Sequence, residues 1–334
     1  MEDYLSELEN CELCEWRCGA NRLEGELGVC RMGEPQIASA MLHPAPPRSY
    51  TIFLSGCNFK CLDCQNWRIA HYPDSGASPR GFLDPAEMAK EAYQRIKSPK
   101  GRALGADRIF FSGGSPAPSL PYLEKLVEEA RKLGDGNVKV NYDTNGFLTE
   151  ESLRRVLDFT TSVTFDIKAY HDDVHRALTG APVEPVLRNA KCIAENAPER
   201  LWEFRVLLIP KITEGEVKPI AEFLSAIDSE IPLNFLAFRP NFVFEDYQGV
   251  TREALDRAVE VAREAGLKNV NWSGRADLPG EIPEATASEY DESGAKRAGG
   301  IAKRAGCVTL PRDCGSCQAI HQCPSKGYKP GRRT

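Results

Sequence analysis

Short apolar runs alternate with stretches of helical periodicity along most of the 334-residue chain. The runs 51–55, 108–112, 138–142, 162–166, 203–208 and 233–238 are rich in β-branched and aromatic residues, the pattern of strands. Between them, 84–96, 121–133, 150–158, 184–196 and 216–226 space their apolar residues as helices do. Such alternation predicts an α/β fold with a parallel sheet and right-handed crossovers. A further amphipathic helix is predicted over 252–265 and a strand over 268–272. The composition then shifts: 277–300 is rich in Pro, Gly, Glu and Ser and reads as a linker or long loop. In barrels of strand–helix units chemistry gathers at the C-terminal ends of the strands, so the residues just past those ends come first as candidates.

Composition narrows the field. Hydrophobic residues make up 42% and charged residues 27%, ordinary for a globular chain able to bury a core. Lys+Arg 42 against Asp+Glu 48 gives a formal charge of −6, so no basic footprint for nucleic acid is present. No apolar run reaches the roughly 18 residues of a membrane span. The acidic, polar start does not resemble a secretory signal, and a cytoplasmic location is expected. Disulfides are rare in that compartment. The 12 Cys therefore need another use, and metal is the first candidate.

The cysteines are grouped. Cys11, Cys14, Cys18 and Cys30 come first, then Cys57, Cys61 and Cys64, then Cys192 alone, then Cys307, Cys314, Cys317 and Cys323. The middle group, Cys-x3-Cys-x2-Cys, follows the first predicted strand. Three thiolates leave the four-thiolate shell of a [4Fe–4S] cluster open at one iron. A structural zinc site with a distant fourth ligand is the alternative. Each outer group of four can hold zinc, a single iron or [4Fe–4S], as a staple for a small lobe or as an electron carrier. Cys192, in a predicted helix, reads as a buried small apolar residue.

Further motifs stand at the ends of successive strands. Gly113-Gly114-Ser115-Pro116 follows the second, Asp143-Thr144-Asn145-Gly146 the third, and Asp166-Ile167-Lys168 the fourth, with His175-Arg176-Ala177-Leu178-Thr179-Gly180 downstream. With the cysteine triad, this order resembles the radical S-adenosylmethionine (SAM) family and its glycyl-radical-activase branch. The resemblance implies a partial (β/α)6 barrel and a [4Fe–4S] cluster at Cys57, Cys61 and Cys64. It implies that the open iron binds SAM and that cleavage yields a 5′-deoxyadenosyl radical. It assigns the SAM amino group to Gly113, Gly114 and Ser115, with Ser115 in place of the usual acidic residue. It also implies that Asp143, Thr144 and Asp166 hold a monovalent cation beside the SAM carboxylate, with Lys168 in the site. Oxygen ligands suit such a hard cation. Taken singly, the two glycines can make a tight turn, Asp143 and Thr144 can do the same, and Asp166 can cap a helix. Arg205 and Arg239 can pair with a carboxylate of SAM or substrate, or enter structural ion pairs. Asp63 stands where the family usually packs an aromatic or apolar residue near adenine, which leaves Phe59 and Trp67 as candidates to cover that ring.

The same resemblance implies an enzyme that acts on an α-carbon of a protein or peptide, with ferredoxin or flavodoxin as electron donor. The segment 18–30 is similar to the N-terminal segment of activase-like homologues of unassigned function, a likeness covering about the first 240 residues. Cys314-x2-Cys317-x5-Cys323 is similar to part of the auxiliary-cluster domains of peptide-modifying members. The whole pattern most resembles the methanogen C-methyltransferases of the methyl-coenzyme M reductase α-subunit, the glutamine-directed group above all. That implies cobalamin as methyl carrier, although no D-x-H-x2-G motif occurs. The alternatives are a glycyl-radical-enzyme activase that removes a Gly Cα hydrogen from a partner enzyme, and a non-catalytic, metal-stapled binding protein. The expected organisation is a four-cysteine metal-binding segment over 1–48, the barrel over 49–245, a helix–strand extension and linker over 246–300, and a second four-cysteine metal-binding segment over 301–334.

Overall fold

Every strand expected from the apolar runs forms, and one more precedes them. The computed structural model describes residues 3–280, 293–305 and 307. Its strands are β1 (Ile37–His43), β2 (Ser49–Leu54), β3 (Arg108–Gly113), β4 (Lys139–Thr144), β5 (Ser162–Asp166), β6 (Leu201–Leu208), β7 (Leu233–Ala237) and β8 (Val270–Ser273). They are hydrogen-bonded in chain order. β1 runs antiparallel to β2, while β2–β3, β3–β4, β6–β7 and β7–β8 are parallel. The fold is therefore α/β with an eight-stranded, mostly parallel sheet, consistent with a partial barrel. β1 escapes a pattern search because it is half-exposed along its length, with only Ile37 fully buried and Met41 exposed, so buried and exposed positions do not alternate. β5, by contrast, is buried at four of its five positions, as a strand covered on both faces should be.

The helices are α1 (Trp67–Ala70), α2 (Pro85–Lys97), α3 (Pro99–Leu104), α4 (Leu120–Arg131), α5 (Glu150–Phe159), α6 (Asp172–Thr179), α7 (Glu184–Asn196), α8 (Val217–Ser225), α9 (Arg252–Glu264) and α10 (Gly294–Arg304). Their starts carry the expected chemistry. The Asp84 carboxylate accepts the N–H groups of Ala86 and Glu87 with Pro85 next in line, and Thr149 and Thr251 cap α5 and α9. α10 corrects the linker expected up to residue 300. It lies against α6 and buries Ala298, Ile301 and Ala302, so its small apolar residues are a packing face. Gly294 lets the start of α10 close on the loop after β6, since a Cβ there would collide with the carbonyl oxygen of Ile212.

Contacts divide the described chain into two compact units. One takes in the described residues up to Asn58 and Arg68–Thr164, the other Phe59–Trp67 and the described residues from Phe165 onward. In the first unit, Ile52, Leu54, Phe111, Val140 and Tyr142 on β2–β4 are fully buried; in the second, Phe204, Val206 and Phe235 are. Register aligns the strand ends. Leu54 pairs with Gly113 and Phe111 with Tyr142 in the first unit, and Leu208 pairs with Ala237 in the second. Among the described residues no helix is long and apolar enough to cross a membrane.

Candidate functional site

The three-cysteine loop leaves the C-terminal end of β2 and passes from the first unit to the second between Asn58 and Phe59. Each half is anchored within its own unit.

In the first unit, Gly56 turns the chain at φ 76°, and its N–H donates to the carbonyl of Ile69 at 2.8 Å. The Gly113-Gly114-Ser115 run packs directly on this turn. Gly113 adopts φ 121°, and a Cβ on it would strike the Leu54 backbone. A Cβ on Gly114 would strike the Gly56 carbonyl. The N–H groups of Gly114 and Ser115 donate to Leu54 and Gly56, both at 2.8 Å. The glycines thus let the end of β3 close on the start of the cysteine loop. Cys57 is buried. Beside it, Asn58 accepts from Asn145 Nδ2 at 2.8 Å, donates from Nδ2 to the Phe147 carbonyl at 3.2 Å, and accepts from Trp16 Nε1 at its own carbonyl at 2.7 Å. Asn145 Nδ2 also lies 4.0 Å from Cys57 Sγ. Asp143 accepts the Ser112 hydroxyl at 2.7 Å, and Thr144 Oγ1 accepts the Gly146 N–H at 3.0 Å in a turn completed by Gly146 at φ 75°.

The N-terminal cysteines are gathered in the same unit. Cys11 bridges to Ala20 and Cys14 to Leu148, which lays the segment along the turn after β4. Arg22, only 1% exposed, donates to the carbonyls of Met32, Gly33 and Pro118 and reaches Cys11 Sγ at 3.5 Å. A hydrogen bond from Cys11 pulls the Cys18 thiol down to about 6, while the same bond and burial push Cys11 well up. Burial raises Cys14 to about 12 against a hydrogen bond from Asn58. Cys14 therefore touches the residue next to Cys57, a link invisible in the spacing.

In the second unit, the His175–Gly180 motif supplies the anchor. α6 ends at Gly180, φ 83°, and the carbonyls of Leu178 and Thr179 accept the N–H groups of Leu62 and Lys60, both at 3.0 Å. His175 Nδ1 lies 2.7 Å from the Ala181 carbonyl, and Thr179 Oγ1 accepts the Ala181 N–H at 3.1 Å. Burial lowers His175 to about 4. His171, four residues earlier, turns instead to Glu216 at 3.0 Å. Asp166 receives Lys168 Nζ and Arg205 Nε, each at 2.8 Å. Burial opposes the charge on Asp166, but Arg205 and Lys168 outweigh it and hold its carboxyl below the ordinary range. Burial likewise opposes the charge on Lys168, and Asp166, Cys61 and Asp63 together outweigh it and raise its ammonium. Asp63, buried, is pushed up by desolvation.

The other candidate residues have the following neighbours. Arg205, a candidate for a SAM or substrate carboxylate, binds Asp166, the ion-pair alternative. Phe59, a candidate cover for adenine, is 2% exposed and set edge-on to His175 at 5.3 Å. Trp67 stacks on Phe242 at 5.5 Å. Arg239 reaches Gln65 at 3.3 Å. Cys192 is half-buried on α7 rather than buried. Cys307 is half-buried, and Cys314, Cys317 and Cys323 lie outside the described residues. Among the described residues, no three His, Cys, Asp or Glu side chains converge as donors of one metal ion. A cluster of several irons takes its thiolates from farther apart than a single ion does.

A mostly parallel α/β sheet with three cysteines in the loop past one strand end, and glycine and Asp motifs at the ends of the three strands that follow, defines an enzyme class built for an iron–sulfur cluster. Residues 51–224 match the radical SAM superfamily, and the chain belongs to it. An uncharacterized protein of Methanocaldococcus jannaschii is 28% identical over 272 residues, covering 78% of this chain and 76% of that protein. The pyruvate formate-lyase-activating enzyme of Staphylococcus aureus is 26% identical over 250 residues, covering 71% of this chain and 93% of the enzyme. Among solved structures, a domain of a pyruvate-formate lyase-activating enzyme from Bacteroides vulgatus matches 51% of this chain and all of that domain, at 22% identity and TM-score 0.41. The donor set fits the family's [4Fe–4S] cluster. It offers three thiols on one loop and, beside Cys61, a buried Lys60 ammonium with no hydrogen-bond partner among the described residues.

Proposed function

We propose that the chain holds a [4Fe–4S] cluster at Cys57, Cys61 and Cys64, binds SAM there, and abstracts a hydrogen atom from an α-carbon of a protein or peptide. The observation that carries this reading is the placement of three thiols on the loop leaving β2 in a radical SAM chain. The cluster, when bound, supplies the electron that cleaves SAM. The chain's own residues fix geometry. Trp16, Asn58 and Asn145 hold the Cys57 side of the loop, and the end of α6 holds residues 60 and 62. Asp166 keeps Lys168 protonated in electrostatic reach of Cys61. Gly113, Gly114 and Ser115 border the turn where the SAM amino group is assigned. A monovalent cation belongs at Asp143 and Thr144; at Asp166 it must displace Lys168 or Arg205. A protein substrate is supported by the S. aureus relative, whose name states that it activates another enzyme. Ferredoxin or flavodoxin is the proposed electron donor, in the cytoplasm.

The test is anaerobic reconstitution, reduction and SAM, with 5′-deoxyadenosine as readout. The variant with Cys57, Cys61 and Cys64 all replaced by Ala is expected to release none. Release at the wild-type rate in that variant overturns the reading and leaves a metal-stapled binding protein.

A second reading adds methyl transfer to the same carbon, glutamine Cα of the methyl-coenzyme M reductase α-subunit, with cobalamin as carrier. It rests on the sequence alone: the two outer groups of cysteines and Asp63 in place of the family's usual aromatic or apolar residue. The outer groups at Cys11, Cys14, Cys18 and Cys30, and at Cys307, Cys314, Cys317 and Cys323, are part of this reading as additional iron, zinc or [4Fe–4S] sites. Anaerobically purified protein with bound cobalt, a corrinoid spectrum and a peptide heavier by one methyl group supports it. Cobalt-free protein after growth with ample cobalamin, and a stored radical on a partner enzyme, return the assignment to an activase.

A further inference from the structure

The cysteine loop carries a charge that the surrounding fold does not receive. Lys60 is 1% exposed, yet its Nζ has no hydrogen-bond partner among the described residues. Withdrawing an ammonium from water is costly unless an anion or a set of acceptors takes it. The buried carboxylates of its own unit do not. Asp166 is taken by Lys168 and Arg205, Asp63 faces Lys168, and Glu216 accepts the N–H groups of Tyr170 and His171. Nor can the residue readily swing outward. Its N–H is bonded to Thr179, that of Leu62 to Leu178, and the neighbouring Phe59 ring is packed on His175. Residue 60 is thus pinned one position before Cys61, with a charged tip that awaits an acceptor.

We propose that the Lys60 ammonium donates a hydrogen bond to a sulfur of the iron–sulfur cluster at Cys61 and raises the cluster's reduction potential. This rests on the reading that the three cysteines hold that cluster. Three thiolates on a [4Fe–4S] core leave a net negative charge that grows by one on reduction. A cation bonded to sulfur therefore favours the reduced state, and hydrogen bonds and net charge are among the levers that set such potentials. Arg can keep both charge and donor at this position; Met keeps the length and loses both.

The test is a redox titration of the anaerobically reconstituted full-length protein, followed by electron paramagnetic resonance without SAM. Iron and sulfide are counted in every sample. In Lys60→Met the cluster is expected to favour the oxidised form at least tenfold more than in wild type, a fall of about 59 mV for a one-electron couple. Lys60→Arg is expected to stay near wild type. If Lys60→Met takes up no cluster, Lys60→Gln is titrated, and its potential is expected below wild type. An unchanged potential in a fully loaded Met or Gln variant overturns the proposal. So does a loss of SAM affinity at unchanged potential, which assigns Lys60 to the SAM carboxylate. Release of 5′-deoxyadenosine at the wild-type rate with Cys57, Cys61 and Cys64 all replaced by Ala overturns the cluster assignment itself and is distinct from both outcomes.

Discussion

Asn145 donates its side-chain amide to Oδ1 of Asn58 at 2.8 Å, from the turn after β4 to the residue beside Cys57. Partners of ligand loops commonly change metal affinity or activity by about 10–100-fold when removed. Asn145→Leu is expected to lose cluster iron to a chelator within that range faster than wild type. Iron release followed by absorbance checks it, and equal rates would show that Asn145 leaves the loop unaffected.

Gly180 ends α6 in the left-handed region, just where Thr179 and Leu178 receive the loop. Gly180→Val places a β-branched side chain at φ 83°, and a cost of about 1 kcal/mol or more is expected. The melting temperature should fall, and so should the rate of 5′-deoxyadenosine release, because the distorted carbonyls no longer hold residues 60 and 62. A stable variant of full activity contradicts the anchor role.

The Asp166–Lys168–Arg205 group predicts coupled losses. Arg205→Met leaves a mostly buried carboxylate with one cation, and a destabilisation on the order of 3 kcal/mol is expected in urea titration. Adding Asp166→Asn should restore part of it. If Arg205 instead binds SAM, the single variant will lose SAM affinity while keeping its stability.

His175 gives a pH dependence. Burial lowers it to about 4, against 6.5 for an ordinary imidazole. Between those values the unfolded chain binds more protons, so stability must fall as pH drops through that window, by on the order of 3 kcal/mol. Denaturation midpoints measured from pH 7 to pH 4 should fall less steeply in His175→Gln. Parallel curves in the two proteins rule out this source.

The N-terminal thiols give a second one. In metal-free protein, alkylation of Cys18 should rise with pH through a midpoint near 6, and Cys11→Ala should shift that midpoint upward. Mass spectrometry of the labelled peptide reads both. Protection of Cys11, Cys14, Cys18 and Cys30 together after loading with zinc or iron would mark them as ligands of one site.

Much of the fold was legible because burial imposes period. Strand and helix alternation is written in local apolar spacing, and seven of the eight described strands follow from it. β1 was not, since a half-exposed strand with Ala, Ser and His among its apolar residues has no regular alternation of buried and exposed positions. α10 was not, since Gly and Ala on its packing face resemble linker composition. At the site, the motifs were readable as types at strand ends, but Asn58, Asn145, Trp16 and Lys60 had no assigned role.

What the sequence determined alone is an order: which thiols are grouped, which motif ends each strand, and hence membership of the radical SAM superfamily. Such signals are local, carried by spacing within a few residues. Only the tertiary structure decided who meets whom. Asn58 finds Phe147 at a separation of 89 residues, and Arg205, a candidate ligand-binding residue, meets Asp166, 39 residues away. It also left the Lys60 ammonium buried without an acceptor among the described residues. Hydrogen bonds and ion pairs depend on distance, angle and the water excluded around them, and those exist only once the chain has folded.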